Sequence, residues 1–104
     1  MKQLKFAGTS LDDLKKFPDR VKQLVGYQLH KVQNGQSPTD WKPMNTIGQG
    51  VMEIRIHLTN EYRVFYVATF PESIYVLHAF QKKTQKTKKQ DLDIAARRYK
   101  EIAN

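Results

Sequence analysis

Hydrophobic residues recur along the chain with two different periods, which divide it into a helical part and a stranded part. From Val21 to Val32 they come every three or four residues, which is the spacing of one buried helix face. From Met52 to Leu58 they alternate with polar residues, which is the spacing of a half-buried β-strand. The pattern therefore predicts helices early in the chain and an antiparallel sheet after them.

Local signals limit the predicted helices. A short strand at residues 2–7 precedes the first helix, which starts where Ser10 and Asp13 stand at capping-box spacing. This helix ends before Pro18, because proline disfavours helical backbone in the residue that precedes it. Pro18 itself suits the first turn of a second helix, which stops at Gly35.

The stretch from Gly35 to Gly50 contains three glycines and two prolines, which are too many breakers for a regular element. We expect it to form an ordered loop that Trp41 and Met44 pin to the core. Beyond it, the pattern predicts a meander of three strands and a last helix capped by Asp91. The predicted strands are Met52–Leu58, Tyr62–Thr69 and Ile74–Phe80.

Together these elements predict a single α+β domain over residues 1–104. Two N-terminal helices pack on one side of an antiparallel sheet of about four strands, and a C-terminal helix follows the sheet. The other side of the sheet is then free to serve as a working surface.

Polar residues of the first predicted hairpin share one face of the sheet. We expect Leu58 to pair with Tyr62. His57 then lies opposite Arg63, and Arg55 points to the same face, because side chains alternate along a strand.

The second hairpin is expected to extend this face. With a turn at residues 70–73, Phe80 falls opposite Arg63. The residues of the last strand that join the face are then His78, Phe80 and Lys82. A change of register by one residue would replace them with Tyr75, Leu77 and Ala79.

Charge is concentrated at one place in the chain. The formal net charge is +8, and the stretch from His78 to Lys89 supplies five lysines and no acid. The excess is therefore local, which indicates a site for a polyanion such as nucleic acid.

Composition argues against several other kinds of site. The chain has no cysteine, and its three histidines (His30, His57 and His78) are scattered, so neither a disulfide nor a metal site is expected. No carboxylate pair, glycine-rich phosphate loop or Ser/His/Asp arrangement stands out, and no cofactor is expected. No run of about 20 apolar residues predicts a membrane span, so we expect a cytoplasmic protein with no membrane partner.

The same residues have purely structural interpretations. Arg55 and His57 suit the solvated face of a sheet. His78 suits a hydrogen-bonded, partly buried histidine, whereas Phe80 and Tyr99 suit core packing. The convergence of arginines from two strands, an aromatic side chain and a lysine run nevertheless favours a basic concave site.

RNA cleavage is the chemistry that such a site can perform without a metal. The ribose 2′-hydroxyl attacks the neighbouring phosphorus, so the protein has to align the attack and stabilise charge on the non-bridging oxygens. Arginine suits the second task because its guanidinium binds two phosphate oxygens at once. A lysine crowded by a neighbouring cation can transfer protons, and Lys82 and Lys83 form such a pair.

Three longer motifs together resemble one protein family. They are WKPMNTIGQGVMEIR from Trp41, EYRVFYV from Glu61 and YVLHAFQKKTQKTKKQDLDIAARR from Tyr75. Nearly the whole chain resembles the HigB-like, phage-derived branch of the RelE/ParE superfamily of type II toxin–antitoxin systems. This resemblance implies a RelE-like fold and a ribosome-dependent mRNA endonuclease that inhibits translation. It also implies a cognate helix-turn-helix antitoxin, with the ribosome, its RNA and mRNA as further partners.

The resemblance also implies roles for individual residues. Arg63 matches the family's arginine on the central strand and is expected to stabilise the phosphate, with Lys82 or Lys83 as the proton-transfer group. The residues expected to bind RNA or the ribosome are Arg55, His57, His78, Phe80, Lys86, Lys88 and Lys89. The assignment of a further acid or base among His78, Tyr75 and Tyr99 stays open.

Two other functions remain compatible with the sequence. ParE relatives share the fold but inhibit DNA gyrase without cutting RNA. A basic module that binds RNA without catalysis would also account for the lysine stretch.

Overall fold

A computed structural model describes residues 1–103 of the chain, and within that range it contains five strands and three helices. The strands are β1 (Gln3–Phe6), β2 (Trp41–Pro43), β3 (Val51–Leu58), β4 (Asn60–Val67) and β5 (Ser73–Lys82). The helices are α1 (Ser10–Lys15), α2 (Asp19–Gln33) and α3 (Lys89–Ala103). None of these three helices is long and apolar enough to cross a membrane.

The five strands form one sheet in the order β1-β5-β4-β3-β2. β1 runs parallel to β5, and the other neighbours are antiparallel. The predicted α+β class is confirmed, but the sheet is mixed and has one strand more than expected. The additional strand is β2, which tolerates Pro43 because it lies at an edge of the sheet.

The expected loop from Gly35 to Gly50 therefore contains a short strand. Trp41 belongs to that strand and is 41% exposed, so the prediction that it pins the loop to the core is wrong. Met44 is partly buried against the core, as expected.

One face of the sheet is covered by α2. Val21, Val25 and Leu29 are buried on this helix and pack with residues such as Ile54 and Val64 of the sheet. Each such side chain contributes about 1.5–3 kcal/mol when fully buried, so this apolar stripe is the main reason why the helix forms here.

The opposite face of the sheet was expected to be free. In the structure it is partly covered by α3. Ala95 is buried there with Phe65, Val67 and Leu77. The apolar positions of α3 recur at helical spacing, and packing on the apolar residues of this sheet face removes them from water. The end of the sheet that carries Arg63 lies outside this second core.

The β3–β4 hairpin is tighter than predicted. Leu58 pairs with Asn60, and Arg55 lies directly opposite Arg63. Thr59 takes a positive φ of 60°, which permits the sharp reversal. The register differs from the expected one by two residues, so the prediction that Arg55, His57 and Arg63 share a face is confirmed.

The β4–β5 ladder confirms that Arg63 lies opposite Phe80. A bulge follows, because Phe65 pairs with His78 whereas its neighbour Tyr66 pairs with Val76. Leu77 is the extra residue, and it packs on the α3 face. This face therefore carries residues expected from both possible registers. His78 and Phe80 come from one, and Tyr75 and Leu77 come from the other.

Two predicted caps are not observed. Thr9 is the cap residue of α1, and Ser10 is buried with its hydroxyl donating to the Val76 carbonyl at 3.1 Å. α3 begins at Lys89, so Asp91 lies in the first turn, where its carboxylate bonds the His78 ring instead of capping the helix.

Candidate functional site

Four charged side chains of β3 and β4 form the centre of the site, which we call the arginine cluster: Glu53, Arg55, Glu61 and Arg63. Glu53 is only 3% exposed and lies between the two arginines. Its Oε1 accepts from Arg55 Nε at 3.0 Å, and its Oε2 lies 3.9 Å from Arg63 Nε. The buried carboxylate thus hydrogen-bonds Arg55 and lies within ion-pair distance of Arg63, whose Nε has no hydrogen-bond partner among the described residues.

Arg63 is the more deeply buried of the two arginines. Its side chain is 7% exposed, compared with 33% for Arg55. Its guanidinium donates to Glu61 Oε1 at 3.2 Å and to the Tyr62 carbonyl at 3.0 Å. A buried guanidinium needs such partners because desolvation of an unpaired charge is costly. In this conformation Arg55 is the arginine more accessible to a ligand.

His57 extends the cluster towards β2. Its Nδ1 lies 2.5 Å from Glu61 and its Nε2 lies 2.6 Å from Asp40. The hydrogen bond to Asp40, together with that to Glu61, raises the pKa of His57 against the opposing effect of burial. Desolvation acts to raise the pKa of Glu61, but hydrogen bonds from His57 and Arg63 outweigh it and lower that pKa.

His78 and Phe80 form the aromatic side of the site. Their rings stack with centroids 5.1 Å apart at 19°, and Phe80 also packs against Phe65 at 5.3 Å. His78 Nε2 lies 2.7 Å from the Asp91 carboxylate, while its Nδ1 is buried with no hydrogen-bond partner among the described residues. The interpretation of His78 as a buried, hydrogen-bonded histidine is confirmed, and Phe80 is a core residue.

The predicted lysines occupy two different places. Lys82 ends β5 opposite Glu61, on the face that carries Arg63 and Phe80. Lys83 follows the strand, and Lys86 and Lys88 are exposed in the segment that leads to α3. Within residues 1–103 none of these four lysines takes part in an ion pair, and their charge is available to a ligand.

Lys89 differs from the other lysines of the stretch. It is the first residue of α3, and its Nζ lies 2.8 Å from Asp93. This pair raises the pKa of Lys89 through a side-chain hydrogen bond and the charge of Asp93.

The tyrosines named as alternative acids or bases have other partners. The Tyr99 hydroxyl donates to the Gln49 carbonyl at 2.9 Å, and the Tyr75 hydroxyl donates to Glu72 at 3.2 Å. His78, by contrast, lines a cavity of about 540 Å³ together with Lys82 and Lys83. Of these three residues, only His78 therefore lies with the predicted site lysines.

The arrangement can bind an anion. No group of three or more His, Cys, Asp or Glu that could hold a metal ion occurs among residues 1–103. Guanidinium and ammonium groups on one sheet face are suited to phosphate oxygens, which they bind through charge-assisted hydrogen bonds.

Sequence reasoning did not identify the acidic members of the site. Glu53 had a detectable signal in the sequence, because it shares the polar face of its strand with Arg55 and His57. Asp40 and Asp91 had none, because their proximity to the site depends on how the loop before β2 and the first turn of α3 pack.

A mixed sheet between an N-terminal helix pair and a C-terminal helix, with a basic face beside that last helix, is consistent with the RelE-like toxin fold. The family model described as Phage derived protein Gp49-like (DUF891) matches residues 12–100. The chain therefore belongs to this Gp49-like, phage-derived family, which is part of the RelE/HigB-like toxins. Membership in a toxin family implies an antitoxin partner. No curated protein matches the chain.

Proposed function

We propose that this protein is the toxin of a type II toxin–antitoxin system of the HigB branch, and that it cuts ribosome-bound mRNA. The observation that carries the proposal is the placement of Arg55, Arg63 and Lys82 on one sheet face, where Lys82 also lines the lysine-rich cavity. The family supports the toxin role, and the chemistry of this face supports an RNA substrate.

The arginine cluster is the proposed phosphate site. Arg55 is partly exposed and meets the phosphate first. Arg63 joins it when the phosphate takes over the hydrogen bonds that Glu61 now accepts. Two guanidinium groups then stabilise the charge that develops on the non-bridging oxygens, which is the largest electrostatic demand of the reaction.

The reaction itself needs only the substrate's own nucleophile. The 2′-hydroxyl gives its proton to a water molecule and attacks the phosphorus, the bond to the 5′-oxygen breaks, and a 2′,3′-cyclic phosphate remains. Lys82 or Lys83 supplies a proton to the leaving oxygen, because Lys82 lies on the face of Arg63 and Lys83 follows it directly.

The lysine-rich segment is the proposed docking surface. Lys86 and Lys88 are exposed in the segment between β5 and α3 and suit the phosphates of ribosomal RNA, and Lys88 also lines the cavity. The antitoxin is proposed to be a helix-turn-helix protein, as in the HigB branch, and the proposed location is the cytoplasm, where translation takes place.

The test is brief induction in a bacterial host followed by mapping of mRNA 5′ ends. Codon-phased cuts are expected with the unchanged chain. Arg63→Ala and Lys82→Ala are expected to abolish cuts and growth arrest, whereas Arg97→Ala, which removes an exposed charge from α3, is not. Circular dichroism and antitoxin binding confirm that each variant folds.

Three outcomes contradict the proposal. Full toxicity of both Arg63→Ala and Lys82→Ala would exclude the site. Intact mRNA with stalled DNA replication would indicate gyrase inhibition. Expression without growth arrest, together with salt-sensitive RNA binding, would indicate a non-catalytic RNA-binding module.

A further inference from the structure

The cavity that Lys82 lines is a cleft along the outer edge of β5, and none of the four residues of the arginine cluster lines it. β1 pairs with β5 only as far as Val76, so the rest of that edge has no neighbouring strand. Ala79 and Gln81 line the cleft there, together with Asp13 of α1, Lys16 and residues of the first turns of α3. The volume of about 540 Å³ lies within the usual range for small-ligand sites.

The charges of this cleft are unevenly satisfied. Its two carboxylates already have partners, since Asp13 accepts from the Thr9 hydroxyl at 2.9 Å and Asp91 bonds His78 at 2.7 Å. The lysine ammonium groups of the cleft have no ion-pair partner within residues 1–103. These unpaired lysines of the cleft are Lys16, Lys82, Lys83 and Lys88. An anionic ligand with more than one negative group would match them.

The floor of the cleft is apolar. Phe17 and Ala79 are buried, and Ile94 is partly buried on α3. A ligand that combines an apolar flat group with phosphates on either side fits such a floor between charged walls. A nucleotide within a single strand has these properties, because each base is flanked by two phosphates.

We propose that this cleft binds the nucleotide of single-stranded RNA that adjoins the phosphate held by the arginine cluster, with Lys16 as a phosphate contact. The inference rests on the proposed function. It is supported by continuity, because Phe80 and Lys82 line the cleft and also belong to the face of Arg63. An RNA strand bound at the arginines therefore enters the cleft by passing over Phe80.

The residue that this inference adds is Lys16, at the C-terminal end of α1, far in sequence from the lysine-rich segment. Lys15 provides a matched control. It is the preceding residue, it is also exposed, and it does not line the cleft. Lys16→Gln and Lys15→Gln remove the same charge from the same helix end, so a general electrostatic effect would change both variants alike.

The experiment measures binding of a fluorescein-labelled single-stranded RNA, made uncleavable by 2′-O-methyl groups, to the purified chain. Anisotropy titrations run from about 50 to 200 mM salt, the range over which phosphate contacts weaken steeply. Lys16→Gln is expected to weaken binding and to reduce the slope of log affinity against log salt by about 0.7, the value for one phosphate contact on a single strand. Lys15→Gln is expected to leave the slope unchanged.

Equal behaviour of the two variants would overturn the proposal. A variant Lys16→Gln that loses affinity for the antitoxin but binds RNA normally would also overturn it and would assign the cleft to a protein partner. Because the probe cannot be cleaved, RNA binding is measured independently of nuclease activity, and the two proposals can fail separately. If mRNA is cut normally by Lys16→Gln and its RNA affinity is unchanged, the cleft assignment fails while the nuclease proposal stands. If Lys16→Gln weakens RNA binding, Lys15→Gln does not, and the unchanged chain cuts no mRNA, the cleft assignment stands while the nuclease proposal fails.

Discussion

The Glu61 carboxylate holds the Arg63 guanidinium in its buried position, since two nitrogens of Arg63 lie 3.2 Å from the same Glu61 oxygen. A phosphate that binds Arg63 has to replace this contact. Glu61 is therefore a competitor for the site as well as a partner of the arginine, and its side chain is exposed enough to move aside.

Glu61→Gln is expected to strengthen RNA binding. Removal of one negative charge about 4 Å from a bound phosphate in a water-like environment is worth about 1 kcal/mol, or about fivefold in affinity. The anisotropy assay with uncleavable RNA measures this change. Glu101→Gln is the control, because Glu101 is exposed near the end of α3 and has no role in the cluster. Weaker binding by Glu61→Gln would mean that the carboxylate assists the RNA site.

Arg98→Met is expected to destabilise the fold. Arg98 is 8% exposed, and its guanidinium donates to the Leu77 carbonyl at 2.8 Å and to the Thr9 hydroxyl at 3.1 Å. These bonds join α3, the β5 bulge and the start of α1. Their loss is expected to lower the free energy of unfolding by about 2–4 kcal/mol. Urea denaturation measures it, and Arg97→Met, at an exposed neighbouring position, should stay within about 0.5 kcal/mol of the unchanged chain.

Two glycines should respond to alanine in opposite directions. A Cβ at Gly48 would lie 2.5 Å from the Tyr99 ring, so Gly48→Ala has to displace that ring, at a cost of about 1–3 kcal/mol. A Cβ at Gly26, within α2, meets nothing within 4 Å. Gly26→Ala should therefore stabilise the protein by about 0.5–1 kcal/mol through helix propensity. Thermal unfolding of both variants tests the pair, and stabilisation by Gly48→Ala would show that α3 shifts freely.

The contribution of His57 to stability should depend on pH. Its folded-state pKa lies above the ordinary value of 6.5, so its protonated form is favoured by folding. The contribution is fully present below pH 6.5 and is lost as the pH rises through the folded-state pKa. Only the protonated ring can donate to both Asp40 and Glu61.

Urea denaturation of the unchanged chain and His57→Gln from about pH 5.5 to 8.5 measures this effect. The stability difference should be largest at the acid end and smallest at the alkaline end. Glu61 stays ionised over this range, because its lowered pKa makes its own contribution fade only at more acid pH. A difference that is constant with pH would show that His57 acts through packing.

Much of the site face could be predicted because side-chain direction along a strand is a local property. Arg55, His57 and Arg63 were placed together even though the hairpin register was off by two residues, since a shift of two preserves the face. The pairing of Arg63 with Phe80 was predicted from the turn at residues 70–73, and it is observed because the bulge offsets a one-residue difference in register between that turn and Phe65. The bulge at Leu77 was not predicted, because a bulge adds one residue on one strand without a distinctive local sequence signal.

The acidic partners of the basic residues depended on long-range packing. Asp40 reaches His57 because the loop before β2 follows the edge of the sheet, and Asp91 reaches His78 because α3 docks over β5. Neither of these two contacts can be predicted from periodicity, because periodicity describes neighbours within one element and not contacts between distant elements.

The sequence by itself determined the helices and the long strands, the basic stretch from His78 to Lys89, and the family. Those features depend on local spacing, composition and motif order, which are present in the chain before it folds. Only the tertiary structure decided that α3 covers part of the working face, that Arg63 is buried between carboxylates, and that Lys16 stands across a cleft from the lysine-rich segment. The physical reason is that burial and ion pairing arise from the packing of elements far apart in sequence.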